Sequence, residues 1–187
     1  MGESTIRGRG VARWLAALAL LLVAACGSGD AGEPPVNADD VMFVQMMVQH
    51  HRQGIEMAGV GAERATTEEL KTLAAAIVST QQSEVEMMLR WLHAWGQPIT
   101  PPDGAHDHHG GLPETDRKKI AALRSAKPFE PELLRLLLAH QDGAVQMAAQ
   151  EVRDGVNHEA TRWAAQVQES RKAQIEQMRQ LLTEVAG

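Results

Sequence analysis

From Asp39 onward, apolar residues recur at i, i+3, i+4 and i+7, the spacing of helices that bury one face. No stretch alternates as a strand would, and no run is rich in Val, Ile, Thr or Tyr. The pattern predicts a first long helix over about Asp39–Arg64, with Asn37 placed to cap it. Thr66-Thr67-Glu68-Glu69 has the form of a capping box and opens a second helix that runs to about Trp95, where Gly96 and Pro98 stop it. A third helix begins near Pro131, a residue suited to the first turn, and ends near Asp154-Gly155. Asn157 caps a fourth, running to about Val185. Between the second and third lies a connection over 96–129, with Pro101-Pro102, a short helix around Glu114–Ser125, and Lys127-Pro128.

Sliding the second half onto the first by ninety residues pairs these helices two by two. His50 then falls on His140, Met57 on Met147 and Met88 on Met178. Flanking positions match in kind: Phe43 with Leu133, Ile55 with Val145, Val85 with Ile175, Leu92 with Leu182. This is a duplicated αα-hairpin, with repeats over about 39–95 and 130–185. Two such hairpins bury their stripes against each other, so the expected fold is all-α, a four-helix bundle occupying 39–187.

The repeat also suggests where chemistry could sit. Positions 43, 46, 50, 54 and 57 share one helical face, which aims His50 where Phe43 and Met57 point. Gly54, one turn further on, is expected to leave room beside His50. With His140, Met147, Met88 and Met178 the repeat proposes two imidazoles and four thioethers facing one interior. Neutral imidazole and thioether together form a soft donor set, suited to copper and to Cu(I) in particular. Zinc would call for thiolates or more histidines. The first hairpin adds Met42, Met46, Met47, Met87 and His51, where the second has Glu132, Leu136, Leu137, Gln177 and Gln141. Met47 and His51 are one turn apart on an adjacent face and could form a second, shallower site. Each of these residues also has a plain structural reading, since methionine fills core gaps and buried histidine is often only hydrogen-bonded.

The first forty residues read as an address. Arg7, Arg9 and Arg13 precede an apolar run from Trp14 to Ala25, too short for a bilayer-spanning helix and typical of a secretory signal. Val23-Ala24-Ala25-Cys26 resembles the lipobox of bacterial lipoproteins, and Cys26 is the only cysteine, so 1–25 is expected to be removed and Cys26 lipidated. Residues 26–38, rich in Gly and Pro, form a flexible tether. Removing the signal takes away three of 18 basic and one of 24 acidic residues, which leaves a net charge near −8. That balance argues against nucleic acid and against a basic membrane-hugging face, so membrane association rests on the lipid. The expected location is extracytoplasmic, anchored to a bacterial membrane.

A di-iron or di-manganese carboxylate enzyme is the competing use of a four-helix bundle, and it needs Glu-x-x-His pairs, of which this chain has none. Nor is there a nucleophile–base set, a phosphate loop or a redox cysteine pair, so no enzymatic role is expected. His106, His108 and His109 form a separate loop cluster suited to weak, accessory metal capture.

Asp40-Val41-Met42-Phe43 and Met47-Val48-Gln49-His50-His51-Arg52-Gln53-Gly54-Ile55-Glu56-Met57-Ala58 resemble the domain of unknown function 305 family. Phe129 with Leu138-Ala139-His140-Gln141-Asp142-Gly143-Ala144-Val145-Gln146-Met147-Ala148 resembles its second element, and Gln81, Glu84, Val85 and Met88 its second helix. The resemblance spans about Asp39–Leu182 and implies a ferritin-like bundle in exported proteins, some associated with copper binding and tolerance. Carried onto this chain, the implied ligands are His50, His51, Met47, Met57, Met88, His140 and Met147, with Gln141 standing where the family repeats its second histidine. The repeat adds Met178. The resulting expectation is a lipid-tethered copper-binding protein that buffers or sequesters copper at the cell envelope, its protein partners undefined. The alternatives are a metal-free helical interaction module and, after it, a metal-dependent ferritin-like enzyme.

Overall fold

The computed structural model describes residues 35–100 and 117–186. Its helices are α1 (Ala38–Arg64), α2 (Glu68–Ala94), the short α3 (Arg117–Leu123), α4 (Phe129–Asp154) and α5 (His158–Ala186). They match the periodicity within a few residues at every end, and the described residues contain no strand. The signal peptide, Cys26 and the His106, His108 and His109 cluster lie outside the described residues. Among the described residues no helix is long and apolar enough to cross a membrane. α1 pairs with α2 and α4 with α5 as two hairpins, and the hairpins meet chiefly along α1 and α4.

Helix ends follow local chemistry, with one departure. Asn37 and Asp40 form a reciprocal capping box at the start of α1, each side chain accepting from the other's backbone N–H. Asn157 caps α5, its Oδ1 accepting from the N–H groups of Glu159 and Ala160 at 3.1 and 3.0 Å. Past α2, Gly96 takes the left-handed φ of 64° and the Gln97 N–H reaches back to Leu92 O at 2.8 Å, a Schellman stop. The capping box expected at Thr66–Glu69 does not form, and Thr67 makes no side-chain cap bond to α2. Glu130, at the start of α4, displaces it. Its Oε1 accepts from the N–H groups of Thr66 and Thr67 at 2.6 and 2.8 Å, and its Oε2 from the Thr67 hydroxyl at 2.7 Å. Burial works to raise the Glu130 pKa, but these bonds outweigh it and hold the carboxyl down at about 2.

The second hairpin's turn is held in the same way by the first hairpin. Asp40 Oδ1 accepts from the N–H groups of Val156 and Asn157 at 3.1 and 3.0 Å. Asp40 and Glu130 are ninety residues apart, as are Thr66 and Val156, and Thr67 and Asn157. The duplication therefore extends from side-chain kind to individual hydrogen bonds. Asn37 and Pro35 also bond to Asp154 and Asn157 around this turn, so the last residues expected in the tether are tied to the bundle.

The apolar stripes merge into two clusters rather than one. The first gathers Phe43, Val44, Met46, Met47, Met88, Trp91, Leu92, Met147 and Trp163, with Trp163 packed 5.7 Å from Phe43 and 5.6 Å from Trp91. The second gathers Met57, Leu70, Ile77, Leu133, Leu134, Leu137, Ile175 and Met178. Ile120 and Leu123 bring α3 onto the second cluster, and Arg64 holds its C-terminal end through the Leu123 and Arg124 carbonyls.

Candidate metal centre in a polar layer across the bundle

Between the two clusters the stripes of all four long helices turn polar at one level. α1 supplies His50 and His51, α2 Gln81 and Glu84, α4 His140 and Gln141, and α5 Arg171 and Gln174. All but the two outermost, Glu84 and Gln174, are buried. His50 and His140 stack face to face at the centre, with centroids 3.6 Å apart and planes 11° apart. Because they are repeat mates, the pseudo-two-fold relation runs between their rings. Two rings this close cannot both carry charge. Burial first, then the facing ring, pushes His50 well below the usual imidazole range, and burial brings His140 down to about 3. Both are neutral at neutral pH, and neither His50 nitrogen makes a well-formed hydrogen bond.

The flanks of the stack are related by the repeat but differ in charge. On one side His51 Nε2 meets Glu84 Oε2 at 2.7 Å, and the Arg171 guanidinium donates to the same oxygen. Burial lowers His51 while Glu84 pulls it back, and the net shift is down. Burial works to raise Glu84, but the His51 bond and the Arg171 charge hold its carboxyl below the ordinary range. On the other side Gln141 donates to Gln174 at 2.5 Å, across the same 33-residue separation. Gln81, the repeat mate of Arg171, is fully buried, and neither of its amide atoms has a hydrogen-bond partner among the described residues.

Gly54 acts differently from the expectation. A Cβ there would lie 2.2 Å from Gln81 Oε1 and 2.7 Å from His140 Nε2. The glycine does not leave space beside His50; it lets Gln81 and His140 close onto the α1 backbone.

The sequence-derived ligand set is therefore brought together only in part. His50, His51 and His140 share the layer. Met47, Met88 and Met147 lie to one side of it in the first cluster, and Met57 and Met178 to the other among leucines. Nor is the Met47–His51 pair shallow, since both side chains are wholly buried. The reason is that α1 packs against both α2 and α4, so its buried arc is wide enough to enclose two adjacent faces. Among the described residues no group of three His, Cys, Asp or Glu side chains is placed to hold a metal ion, and the candidate thioethers lie outside the layer. They are unevenly shared. Met46, Met47, Met88 and Met147 belong to the first cluster, with Met42 and Met87 packed against it, while the second has only Met57 and Met178.

Residue-type reasoning missed Arg171 and Gln174, and it gave no site role to Gln81 and Glu84, which entered only through the family resemblance. The signal was available: each is a polar residue breaking an otherwise apolar stripe at matching positions of the two repeats.

Solved structures of similar proteins share this arrangement of helices. A DUF305 fragment from Deinococcus radiodurans is 29% identical, covering 81% of this chain and 99% of that one, with a TM-score of 0.71. A DUF305 protein from Streptomyces coelicolor, designated as secreted, is 29% identical over 78% of this chain and 93% of that one, with a TM-score of 0.74. CopM has been solved in several metal states. Its Cu(I)-bound form is 29% identical over 79% of this chain and 98% of that one, and its Cu(II)-bound form 31% over 78% and 96%, both with TM-scores of 0.67. No curated protein matches. The sequence profile of DUF305, a domain of unknown function, matches residues 40–182, and with the bundle and its duplicated histidine helix this places the chain in the DUF305 family.

Proposed function

We propose that this protein binds copper at the cell envelope, buffering or sequestering it through Met and His donors, and that it is held at a membrane by lipid on Cys26. The observation that carries the reading is the likeness to CopM, seen in Cu(I)-bound, Cu(II)-bound and silver-bound forms, over nearly the whole bundle. The donor chemistry supports it. Six of the nine methionines gather in or against the first cluster, and uncharged thioethers with neutral imidazole favour Cu(I) over harder ions. The role is binding rather than catalysis. The core of the bundle is built from aliphatic and aromatic side chains, so copper adds stability by linkage to a fold that forms without it.

The direct test is a Cu(I) competition titration of the purified protein against a chromophoric chelator. Tight binding, with a rise in denaturation midpoint on adding metal, is the expected result. A protein that leaves all Cu(I) on the chelator and shows no change in midpoint would remove the reading. The tether has its own test. Cys26→Ser should move the protein from the membrane to the soluble fraction, since a chain without acyl groups keeps no anchor. An unchanged membrane fraction would mean that something else holds it.

A further inference from the structure

Where α1 and α4 meet near the start of α1, the first cluster opens to the surface in a small cleft. Met42, Met46 and Met147 line it, with Asp39 and Glu151 as its carboxylates. Met42 and Met46 are four residues apart on α1 and so share a face, while Met147 comes from α4 opposite. Met46 and Met147 are 6% and 8% exposed, so these thioethers edge on solvent, whereas Met47, Met57, Met88 and Met178 are wholly enclosed.

The cleft volume is about 30 Å³. A site that holds one water needs roughly 10–15 Å³ on the same basis, so the cleft takes a single ion or a water or two and excludes an organic ligand. Its donors are three thioethers, with carboxylate alongside. Glu151 is only 1% exposed, and its buried carboxyl lies against that of Asp40. Two carboxyl groups buried side by side favour a positive charge next to them. Soft sulfur donors beside an acidic wall match a monovalent d10 cation.

We propose that Met42, Met46 and Met147 form a surface site for Cu(I), with Ag(I) as its analogue, where the metal first enters the methionine-rich half of the bundle. The site rests on the copper reading above and narrows it. None of its α1 thioethers is repeated in the second hairpin, where Glu132 and Leu136 stand at the matching positions. The bundle therefore has one such mouth and not two.

The test uses the full-length protein and each metal ion alone. With methionine methyls labelled, the first equivalent of Ag(I) should shift the resonances of Met42, Met46 and Met147 and leave those of Met57 and Met178 in place. The triple substitution Met42→Leu, Met46→Leu, Met147→Leu keeps side-chain volume and removes the sulfurs. It should weaken Cu(I) binding at least about 100-fold, the upper end of what loss of a mere supporting residue costs a metal site. If the triple variant fails to fold, the methyl shifts of the parent protein decide. If the parent binds Cu(I) tightly but the first shifts fall on Met57 or Met178, or the folded triple variant binds like the parent, the cleft is not the site and the copper reading survives. If the parent protein itself does not bind, both fail.

Discussion

Replacing Glu84 with alanine is expected to cost about 3–5 kcal/mol of folding stability, the loss typical when one member of a buried ion pair is removed. Arg171 is 1% exposed, and Glu84 is the carboxylate that meets its charge. Without it the guanidinium stays buried with only the longer 3.4 Å contact to Gln174, and His51 loses its Nε2 partner as well. Denaturant unfolding should show the loss as a lower midpoint at unchanged slope. The repeat supplies the compensating design. The equivalents of His51, Glu84 and Arg171 on the other side of the histidine stack are Gln141, Gln174 and Gln81. Converting all three residues to glutamine should thus restore most of the stability, since neutral groups of similar size replace a desolvated triad. A Glu84→Ala loss below about 1 kcal/mol, the worth of an ordinary exposed pair, would mean that water reaches Arg171 and the layer is not sealed.

In the copper-free protein, stability should peak near pH 6.5 and fall on both sides. His50 and His140 are held neutral by burial, with His140 at about 3, while the unfolded chain titrates them at 6.5. Between those values the unfolded state binds more protons than the folded one, so stability rises with pH through this window. Glu151 opposes this. Burial, with Asp40, Asp39 and Asp154 nearby, raises it from 4.5 to about 8, so its contribution is present below 4.5 and is lost as pH climbs through 8. Each tenfold change in a group's proton affinity on folding is worth about 1.4 kcal/mol. From pH 6.5 to 4.5 the His140 and Glu151 contributions nearly cancel, and the lowered His50 sets the net direction, a loss of stability toward pH 4.5. From 6.5 to 8 only the Glu151 limb remains, and Glu151→Gln should flatten it. Denaturation midpoints measured across pH 4.5–8 check both limbs. A midpoint that does not change from 4.5 to 6.5 would mean the stacked rings protonate within the folded bundle.

The four long helices and their pairing were legible in the sequence because helical periodicity and punctuation are local. Asn37, Gly96 and Asn157 mark boundaries through their own backbone neighbourhood, and the structure uses each of them as expected. The ninety-residue offset was legible too, and it correctly pairs His50 with His140. Relations between helices were less accessible. Thr66–Glu69 has a valid local cap pattern, yet a carboxylate from 63 residues away occupies the donors first. Glu84 lacks a histidine at helical spacing, yet meets one on another helix. Shared helical face likewise does not fix depth along the bundle. Met57 lies on the face of His50, but seven residues of rise, about 10 Å, carry it past the polar layer into the opposite cluster.

The exchanged carboxylates, Asp40 onto one turn and Glu130 onto the other, bear on how such a chain could arise. A lone hairpin carries a clasp at its start and, at its far end, a turn with backbone N–H groups that need an acceptor from elsewhere. The clasp cannot reach its own turn, because the two lie at opposite ends of the same long helix. Two identical hairpins side by side would each satisfy the other, with the histidine stack on their common axis. The present molecule has the bonding of a symmetric pair of half-size subunits, joined end to end into a single chain. Fusion would have freed the two copies to diverge. One hairpin now carries His51 and Glu84 where the other carries Gln141 and Gln174, Arg171 stands where the first has Gln81, and most of the sulfur lies in one half.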